Sequence, residues 1–344
     1  MKLFIATFLA ACSLTSQVVY CQSAAVDKVQ FFKEDSTLQV TLETYWSKVN
    51  NQKNKAGRIF PARFIAKIND TTMANEPVDL TVRGHFRRDY CYIPPLKLSF
   101  NKNTSSVMHS FKSLKLVSAC RLNSSYEQYL FKEFLVYKIY NLLTDKSFRV
   151  RLLQINYKDS SEKKSTFTEH AFFTENAKEL GKRNDCKEWT KGTMNTESTD
   201  RKQMTLVALF EYMIGNTDWS VPGNHNIKLI QFKEDSTSKP FSIPYDFDYS
   251  GIVNTEYAVP DPLLNTETVL QRVYRGYPRT MEELNTALGI FKEQKEKILA
   301  LVNNFELLNA RNKKYMIEYL ESFYTLIKNP KDIKNIFIDN ARTD

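Results

Sequence analysis

The sequence is poor in glycine and has no long apolar stretch, and both absences limit the class of protein. Nine glycines in 344 residues exclude a collagen-like repeat, and a charged fraction of 25% beside a hydrophobic fraction of 42% is typical of a globular chain. No run reaches the roughly 20 apolar residues that a membrane-spanning helix needs. The length then allows one large domain or two smaller lobes.

Several catalytic and binding signatures are missing as well. The chain has no CxxC pair and only four scattered histidines, so no structural zinc site is predicted. It also lacks the GxGxxG, GxSxG and HExxH patterns of common cofactor-binding and hydrolytic sites. The net charge of +9 is spread over small clusters without interleaved aromatic residues. This distribution predicts a preference for anionic ligands and no nucleic-acid partner.

The N-terminus has the pattern of an export signal. Lys2 precedes an apolar run and a mildly apolar stretch, which predicts a signal peptide over residues 1–21 with cleavage near Cys21. The segment around Cys12 also resembles a lipoprotein cleavage box, so lipid attachment through Cys12 is an alternative. We therefore expect a secreted, periplasmic or cell-surface protein without a transmembrane segment in the mature chain.

Three cysteines remain after this cleavage, at Cys91, Cys120 and Cys186. Export permits a disulfide, and an odd count leaves at least one thiol unpaired. Because Cys91 and Cys120 both flank strand-like segments, we predict a bridge between them.

The hydrophobic period changes along the chain. Alternation of apolar and polar residues predicts strands at 38–43, 58–68, 78–83, 96–100, 114–117, 148–157 and 165–174. Helical spacing predicts a helix over 124–144, before the last two of these strands, with a serine cap. Residues 175–200 are polar and irregular and are interpreted as a link between two lobes.

The second half begins with a strongly apolar helix over 203–214 that ends at Gly215, a common helix stop. A hairpin is predicted over 225–245, followed by amphipathic helices over 281–302 and 311–327.

Two groups of acidic and amide residues flank that hairpin. Asp218 lies in the loop after Gly215, where a carboxylate can accept a proton from a hydroxyl nucleophile, and the amide of Asn226 suits Mg²⁺. Asp246 and Asp248 directly follow a strand, where oxygen ligands can fix a metal that bridges nucleotide phosphates. The alternative interpretation is a polar surface loop and two turn caps.

A lysine and a glutamate of the first half complete the pattern. Lys97 and Lys115 are each flanked by leucines on a strand, and Glu133 lies in the middle of the first long helix. A Lys–Glu pair can orient a lysine toward phosphate oxygens, and the sequence leaves open which lysine does so. Arg83 precedes Gly84, where backbone can approach a phosphate, although Arg83 can equally form a structural ion pair.

This order of elements resembles the secreted spore-coat-protein-H-like (CotH) kinases. Arg83-Gly84 followed by Lys97 is similar to their RGN…K segment, and residues 172–175 resemble their strand into the interlobe link. The loop over 215–226 is similar to their N-x-D…N loop and to that of HipA-like kinases. Residues 245–248 resemble their YDxD turn.

The resemblance implies a fold and a division of the chain. The fold is α+β and two-lobed, like that of protein kinases, with an N-terminal mixed or antiparallel sheet lobe that carries one helix and a mainly helical C-terminal lobe. The lobes correspond to residues 22–175 and 176–344.

The resemblance also implies residue roles. Asp218 is the catalytic base, and Asn226 and Asp246 are metal ligands, with Asp248 as an additional one. Asn224 is an alternative to Asn226, because the spacing from Asp218 is longer than in ordinary protein kinases. The remaining nucleotide-binding candidates are Lys97 or Lys115 with Glu133 as its partner, Arg83 and Glu175.

The expected function is a phosphotransferase that uses ATP with Mg²⁺ or Mn²⁺ and phosphorylates a secreted or envelope protein. An inactive kinase-like binding module of the cell envelope is the first alternative. A metal-dependent phosphohydrolase that uses Asp218, Asp246 and Asp248 is the second.

Overall fold

The structure, a computed structural model, describes residues 25–55, 57–84, 86–100, 107–162 and 165–343. The predicted signal segment, with Cys12 and Cys21, lies outside these residues. Within them, no helix is long and apolar enough to cross a membrane.

The strands of the described ranges form two sheets. They are β1 Leu38–Thr44, β2 Ile59–Lys67, β3 Met73–Val82, β4 Leu96–Phe100, β5 Ser113–Ser118, β6 Val150–Asp159, β7 Phe167–Thr174, β8 Cys186–Glu188, β9 Ile227–Phe232 and β10 Phe241–Pro244.

The first sheet closes into a barrel in the order β1-β2-β3-β4-β5-β7-β6. All neighbours are antiparallel except β1 and β6, which pair in parallel and close the ring. Alternate residues of the strands point inward, so that Leu42, Phe64, Leu80 and Phe173 meet in a buried core.

The helices are α1 Lys28–Lys33, α2 Trp46–Gln52, α3 Phe86–Tyr90, α4 Ser124–Leu143, α5 Ala177–Arg183, α6 Arg201–Ile214, α7 Met281–Asn303, α8 Ala310–Leu326 and α9 Pro330–Lys334. Short 3₁₀ turns and a π-helical segment at Asn335–Asp339 complete the described part. We call α6 to α9, together with the sheet β10-β9-β8, the helical region.

Helix α4 joins the barrel to the helical region. Its apolar residues belong to the same buried cluster as those of α6 to α8, and the cluster also contains Leu152 and Phe172 from the barrel strands. Thirteen of the twenty residues of α4 are buried, Lys132 and Glu133 among them, so charged side chains lie inside the molecule on this helix.

Most predicted elements are present with bounds that differ by a few residues, but the description of the first half needs correction. The expected single helix is accompanied by the short helices α1, α2 and α3, and the sheet is a closed barrel. The link expected over 175–200 contains α5 and β8. Short elements of mixed polarity have no clear period, which is why alternation did not predict them.

The predicted disulfide joins Cys91 to Cys120, and Cys186 is a free, buried cysteine. The bridge links the residue after α3 to the turn before α4. It thereby holds α3 against the start of α4, where Ala119 and Tyr126 complete a small buried cluster.

Candidate functional site

A cleft lies where the barrel meets the helical region. Its walls come from β5 and β7, from α4, and from the chain after β3 and after β10; the lining residues are Arg83, Lys115, Val117, Tyr137, Phe148, Thr174, Glu175, Tyr245 and Asp246. Three residues predicted from sequence to contact a nucleotide, Arg83, Lys115 and Glu175, therefore share one cavity with the predicted metal ligand Asp246.

Lys115 is the lysine that enters the cleft. It lies opposite Lys97 in the pairing of β4 with β5, but Lys97 is not among the residues that line the cleft. The Lys115 Nζ lies 5.5 Å from the centre of the Tyr245 ring. Burial and then the positive charge of Arg83 lower the pKa of Lys115 to about 8, whereas Asp246 opposes that shift. The structure thus separates the two lysines that the sequence left equivalent.

Asp246 is held in an unusual backbone conformation directly after β10. Its φ is +68°, which a non-glycine residue adopts where its surroundings fix it. The Asp246 N–H donates to the Tyr137 hydroxyl at 2.9 Å, and the Phe247 ring packs against Tyr137 and Phe210 at 4.7 and 5.6 Å between centres. No described residue donates a hydrogen bond to the Asp246 carboxylate, so its oxygens are available to a ligand.

Glu133 and Asp248 form a buried acidic pair whose cation is Arg87. Arg87 Nη1 lies 3.5 Å from Asp248 Oδ2 and 4.0 Å from Glu133 Oε2. The Tyr257 hydroxyl also donates to Asp248 Oδ2, at 2.8 Å. The expected pairing of Glu133 with Lys97 or Lys115 is therefore wrong for this structure, because an arginine from α3 occupies that position.

The charges of this pair are mutually dependent. Burial and then the charge of Asp248 raise the pKa of Glu133 well above its usual range. Burial and then Asp246 raise the pKa of Asp248, while Arg87 opposes the rise. Although burial alone lowers the pKa of Arg87, Tyr257 and Asp248 outweigh it and leave that pKa raised. Asp248 is thus held by protein groups, which makes it a poorer metal ligand than Asp246.

The loop with Asp218 follows α6, which ends at Gly215 in the left-handed conformation, as predicted. His225 Nε2 lies 2.7 Å from Asp218 Oδ1, and Asn226 Nδ2 donates to Asp218 Oδ2 at 3.0 Å and to the Asp218 carbonyl at 2.7 Å. The Tyr245 N–H donates to the Asn226 carbonyl at 3.0 Å. Asp218, the candidate base, is therefore linked through Asn226 to Tyr245, the residue that precedes Asp246.

Asn226 has its amide nitrogen turned toward Asp218, which leaves the side-chain oxygen facing away from that carboxylate. Asn224 also has a positive φ, but it does not donate to Asp218 in this way. The geometry thus favours Asn226 over Asn224 as the partner of Asp218.

Glu175 lies at the edge of the cleft, but its carboxylate already has partners. Arg183 Nε lies 3.0 Å from Glu175 Oε1, and the Arg149 N–H donates to Oε2 at 3.2 Å. Arg83, in contrast, has its charge directed into the cleft: burial lowers its pKa, and the charge of Asp246 opposes that shift.

A metal fits part of this arrangement. Asp246 and Asn226 provide a free carboxylate and an amide oxygen, which are the hard ligands that Mg²⁺ prefers. Within the described ranges, however, no group of three or more His, Cys, Asp or Glu side chains is placed to hold a metal ion. Two protein ligands are consistent with Mg²⁺, which keeps several waters and shares substrate phosphates.

Three residues of the site were not assigned roles from the sequence. Arg87 stands in a basic run that matches no known motif, and His225 precedes the predicted ligand Asn226. No sequence pattern indicates a role for Tyr257, because it lies outside the helices and strands and bonds Asp248 from nine residues further along the chain.

No family model and no curated protein matches the chain. Among solved structures, the chain is similar to a Helicobacter pylori proinflammatory kinase, CtkA. The match has a TM-score of 0.37 and 12% sequence identity and covers 72% of this chain and 88% of that one. A likeness at this level carries no argument about activity, so the functional inference rests on the site itself.

Proposed function

We propose that the protein is a kinase-like phosphotransferase that uses ATP with Mg²⁺ or Mn²⁺ to phosphorylate a hydroxyl of a secreted or envelope protein. The observation that supports this most strongly is the meeting of Lys115 and Asp246 in one cleft. The two residues are 131 positions apart in the sequence. Asp218 and Asn226 lie in the loop connected to the same strand.

Each residue has a role that follows from its surroundings. Lys115 and Arg83 supply positive charge for phosphate oxygens, since catalysis of phosphoryl transfer depends on positioning and on neutralisation of charge. Asp246 and Asn226 would hold the metal, which neutralises phosphate charge when bound. Asp218 would accept the proton of the acceptor hydroxyl, and His225 and Asn226 fix its two oxygens in place.

An acceptor would reach Asp218 through a second cavity. This cavity has a volume of about 420 Å³, and Asp218 lines it together with Ser220, Tyr249 and Arg275, none of which lines the nucleotide cleft. Its size lies within the usual range for small binding sites, roughly 300–1,000 Å³. A side chain that carries a hydroxyl can therefore approach Asp218 without passing through the nucleotide cleft.

The cleft is closed in this structure. Its volume is about 40 Å³, far below the roughly 300 Å³ of a small-molecule site. The Tyr245 ring fills the space between Phe148, at 5.8 Å between ring centres, and Lys115. We expect nucleotide entry to displace Tyr245 and Arg83. The same observation favours the second candidate function, an inactive kinase-like binding module of the cell envelope that does not take up a nucleotide.

The test is metal-dependent nucleotide binding by thermal shift on the mature chain. Wild type should be stabilised by millimolar ATP with Mg²⁺ or Mn²⁺, because a ligand that binds the folded state raises its apparent stability. Asp246→Asn should lose this stabilisation, whereas Asp70→Asn, an exposed aspartate of the β2–β3 turn, should retain it. A folded wild type without any shift would exclude the kinase and leave the binding module.

Transfer is tested separately from binding. Asp218→Asn should still bind nucleotide but lose transfer of the terminal phosphate to protein, measured with labelled ATP on the chain itself and on envelope extracts. Nucleotide binding by wild type without any transfer would contradict the catalytic role of Asp218 and support a nucleotide-binding module without activity.

A further inference from the structure

A third cavity, distinct from the nucleotide cleft and from the cavity beside Asp218, lies between the first turns of α4 and α8. It has a volume of about 300 Å³, and we call it the polar pocket; its lining residues are Ser124, Ser125, Gln128, Tyr129, Lys132, Asn254, Asn309, Arg311, Asn312 and Tyr315. The lining contains two cationic side chains, several hydroxyls and amides, and no carboxylate. Its charge is therefore opposite to that of the buried acidic pair Glu133 and Asp248, which we call the acidic cluster.

Two helix N-termini open into the polar pocket. The capping side chains Asn123 and Asn309 bond only the third amide of their helices, at Tyr126 and Asn312. The first two amides of each helix, at Ser124, Ser125, Ala310 and Arg311, have no acceptor among the described residues. Free amides at the start of a long helix favour an anion, and here two long helices present them to one cavity.

Lys132 provides an independent indication of a ligand. Only 2% of the residue is exposed, and it lines the polar pocket. Among the described residues, no carboxylate or hydrogen-bond acceptor pairs with its Nζ. The Nζ lies 5.0 and 5.2 Å from the centres of the Tyr129 and Tyr315 rings. A buried ammonium group without an anion is unfavourable, so the position calls for one from outside.

We propose that the polar pocket binds a phosphate monoester, with the phosphate between Lys132 and the two helix N-termini and with Arg311 at the entrance. A tetrahedral dianion offers several acceptor oxygens, which suits amides that approach from two helices together with two cations. The cavity is larger than a phosphate ion, which leaves room for a small organic group. The proposal does not depend on the proposed function, because no residue of the pocket belongs to the cleft.

Glu256 does not neutralise this site. Burial and then the charge of Glu256 raise the pKa of Tyr129, one of the lining residues. Its carboxylate is held by Arg121 at 3.6 Å and by the Tyr126 hydroxyl. Neither contact involves Lys132.

The experiment is calorimetric titration of the full mature chain with inorganic phosphate and with O-phosphoserine, in a buffer free of other multivalent anions. Wild type should bind O-phosphoserine more tightly than phosphate. Lys132→Met and Arg311→Gln should each weaken binding at least tenfold. Lys314→Gln is the matched control, since it removes one positive charge from the exposed side of α8, and it should change affinity less than twofold.

Other outcomes would overturn the proposal. Absence of binding at millimolar concentrations in wild type would exclude the site. Loss of binding in Lys115→Met but not in Lys132→Met would place the anion in the cleft instead. Equal affinity for the two probes would exclude the ester and leave inorganic phosphate as the ligand. Arg311 is exposed, so its variant reports on binding even if Lys132→Met fails to fold.

Discussion

Lys132 and Glu133 are neighbours on α4, and both are 2% exposed, yet only one of them has an oppositely charged group beside it. Glu133 points to the acidic cluster, where Arg87 lies 4.0 Å away. Lys132 points to the polar pocket, where two tyrosine rings face it but no anion does. One side of the helix thus balances its charge within the chain, and the other side does not.

The difference separates a structural role from a binding role. A buried carboxylate with a cation can be explained by the fold alone, since removal of either partner leaves an uncompensated charge. A buried cation without an anion is not explained by stability, which is why we assign it to a ligand. The predictions below test each side of α4 in turn.

The largest effect is expected from Arg87→Met. It removes the cation beside Glu133 and Asp248 and leaves two buried carboxyl groups without a positive charge. We expect the free energy of unfolding to fall by about 3–5 kcal/mol, measured by denaturant titration. Arg88→Met on the same helix is the control and should change it by less than about 1 kcal/mol, because Arg88 pairs with the exposed Asp89. Equal effects would show that Arg87 does not balance the cluster.

Substitution of Lys115 and of Lys97 tests which of the two lysines contributes to nucleotide binding. Lys115→Met should weaken nucleotide binding about tenfold or more, which corresponds to about 1.4 kcal/mol, because Lys115 lines the cleft with Asp246. Lys97→Met, one strand away, should change affinity less than twofold. The measurement is titration with a fluorescent ATP analogue and Mg²⁺. A larger effect at Lys97 would show that the bound form uses the other lysine.

On the opposite side of the helix, Lys132→Met should stabilise the protein in the absence of an anion. Burial lowers the pKa of Lys132 to about 7, from about 10.4 in an unfolded chain. Between these values the unfolded state binds more protons, so the wild type gains stability as pH rises and carries the full penalty below about pH 7. The variant should therefore be more stable than wild type by about 1 kcal/mol at pH 6.5, and this advantage should disappear as the pH rises toward 9.

The groups that face Lys132 are Tyr129, Tyr315 and Arg311, so no carboxylate of the pocket contributes a competing titration. Urea unfolding at the two pH values measures the difference, with Lys314→Gln as the control. A gain that is the same at both values would contradict the assignment to the Lys132 charge.

At pH 5 the smallest effect is expected from Glu211→Gln, which replaces a buried carboxylate of α6. Glu211 lies in α6, is 1% exposed and has no hydrogen-bonded cation, and burial raises its pKa to about 8. Because the folded state then binds the extra proton between about pH 4.5 and 8, the wild type loses stability as pH rises through this range. The variant should match wild type within about 1 kcal/mol at pH 5 and exceed it increasingly as the pH rises toward 8, by thermal unfolding.

The local elements of the fold could be predicted from the sequence. Strand β4 has the predicted bounds, and α6 ends at Gly215 because the αL conformation there suits glycine. The barrel could not be predicted, because its closure depends on the parallel pairing of β1 with β6, more than a hundred residues apart. Alternation identifies a strand but not its partner.

The site could be predicted in the same limited sense. Residue types and spacing identified Asp218, Asn226 and Asp246, which the structure connects through Tyr245. They did not identify the partner of Glu133, because the side chain that approaches it comes from a five-residue helix with no periodic signal. Contacts between distant segments depend on packing, which the sequence order alone does not specify.

The Cys91–Cys120 bridge makes the acidic cluster sensitive to reduction. Helix α3 has five residues, too few to persist on their own, and Cys91 is the residue that immediately follows it. If thiols in the medium opened the bridge, Arg87 would be held mainly by its bond to the Ser118 carbonyl and by its ion pairs. The redox state of the surroundings therefore governs how firmly Arg87, the cation beside Glu133 and Asp248, is anchored.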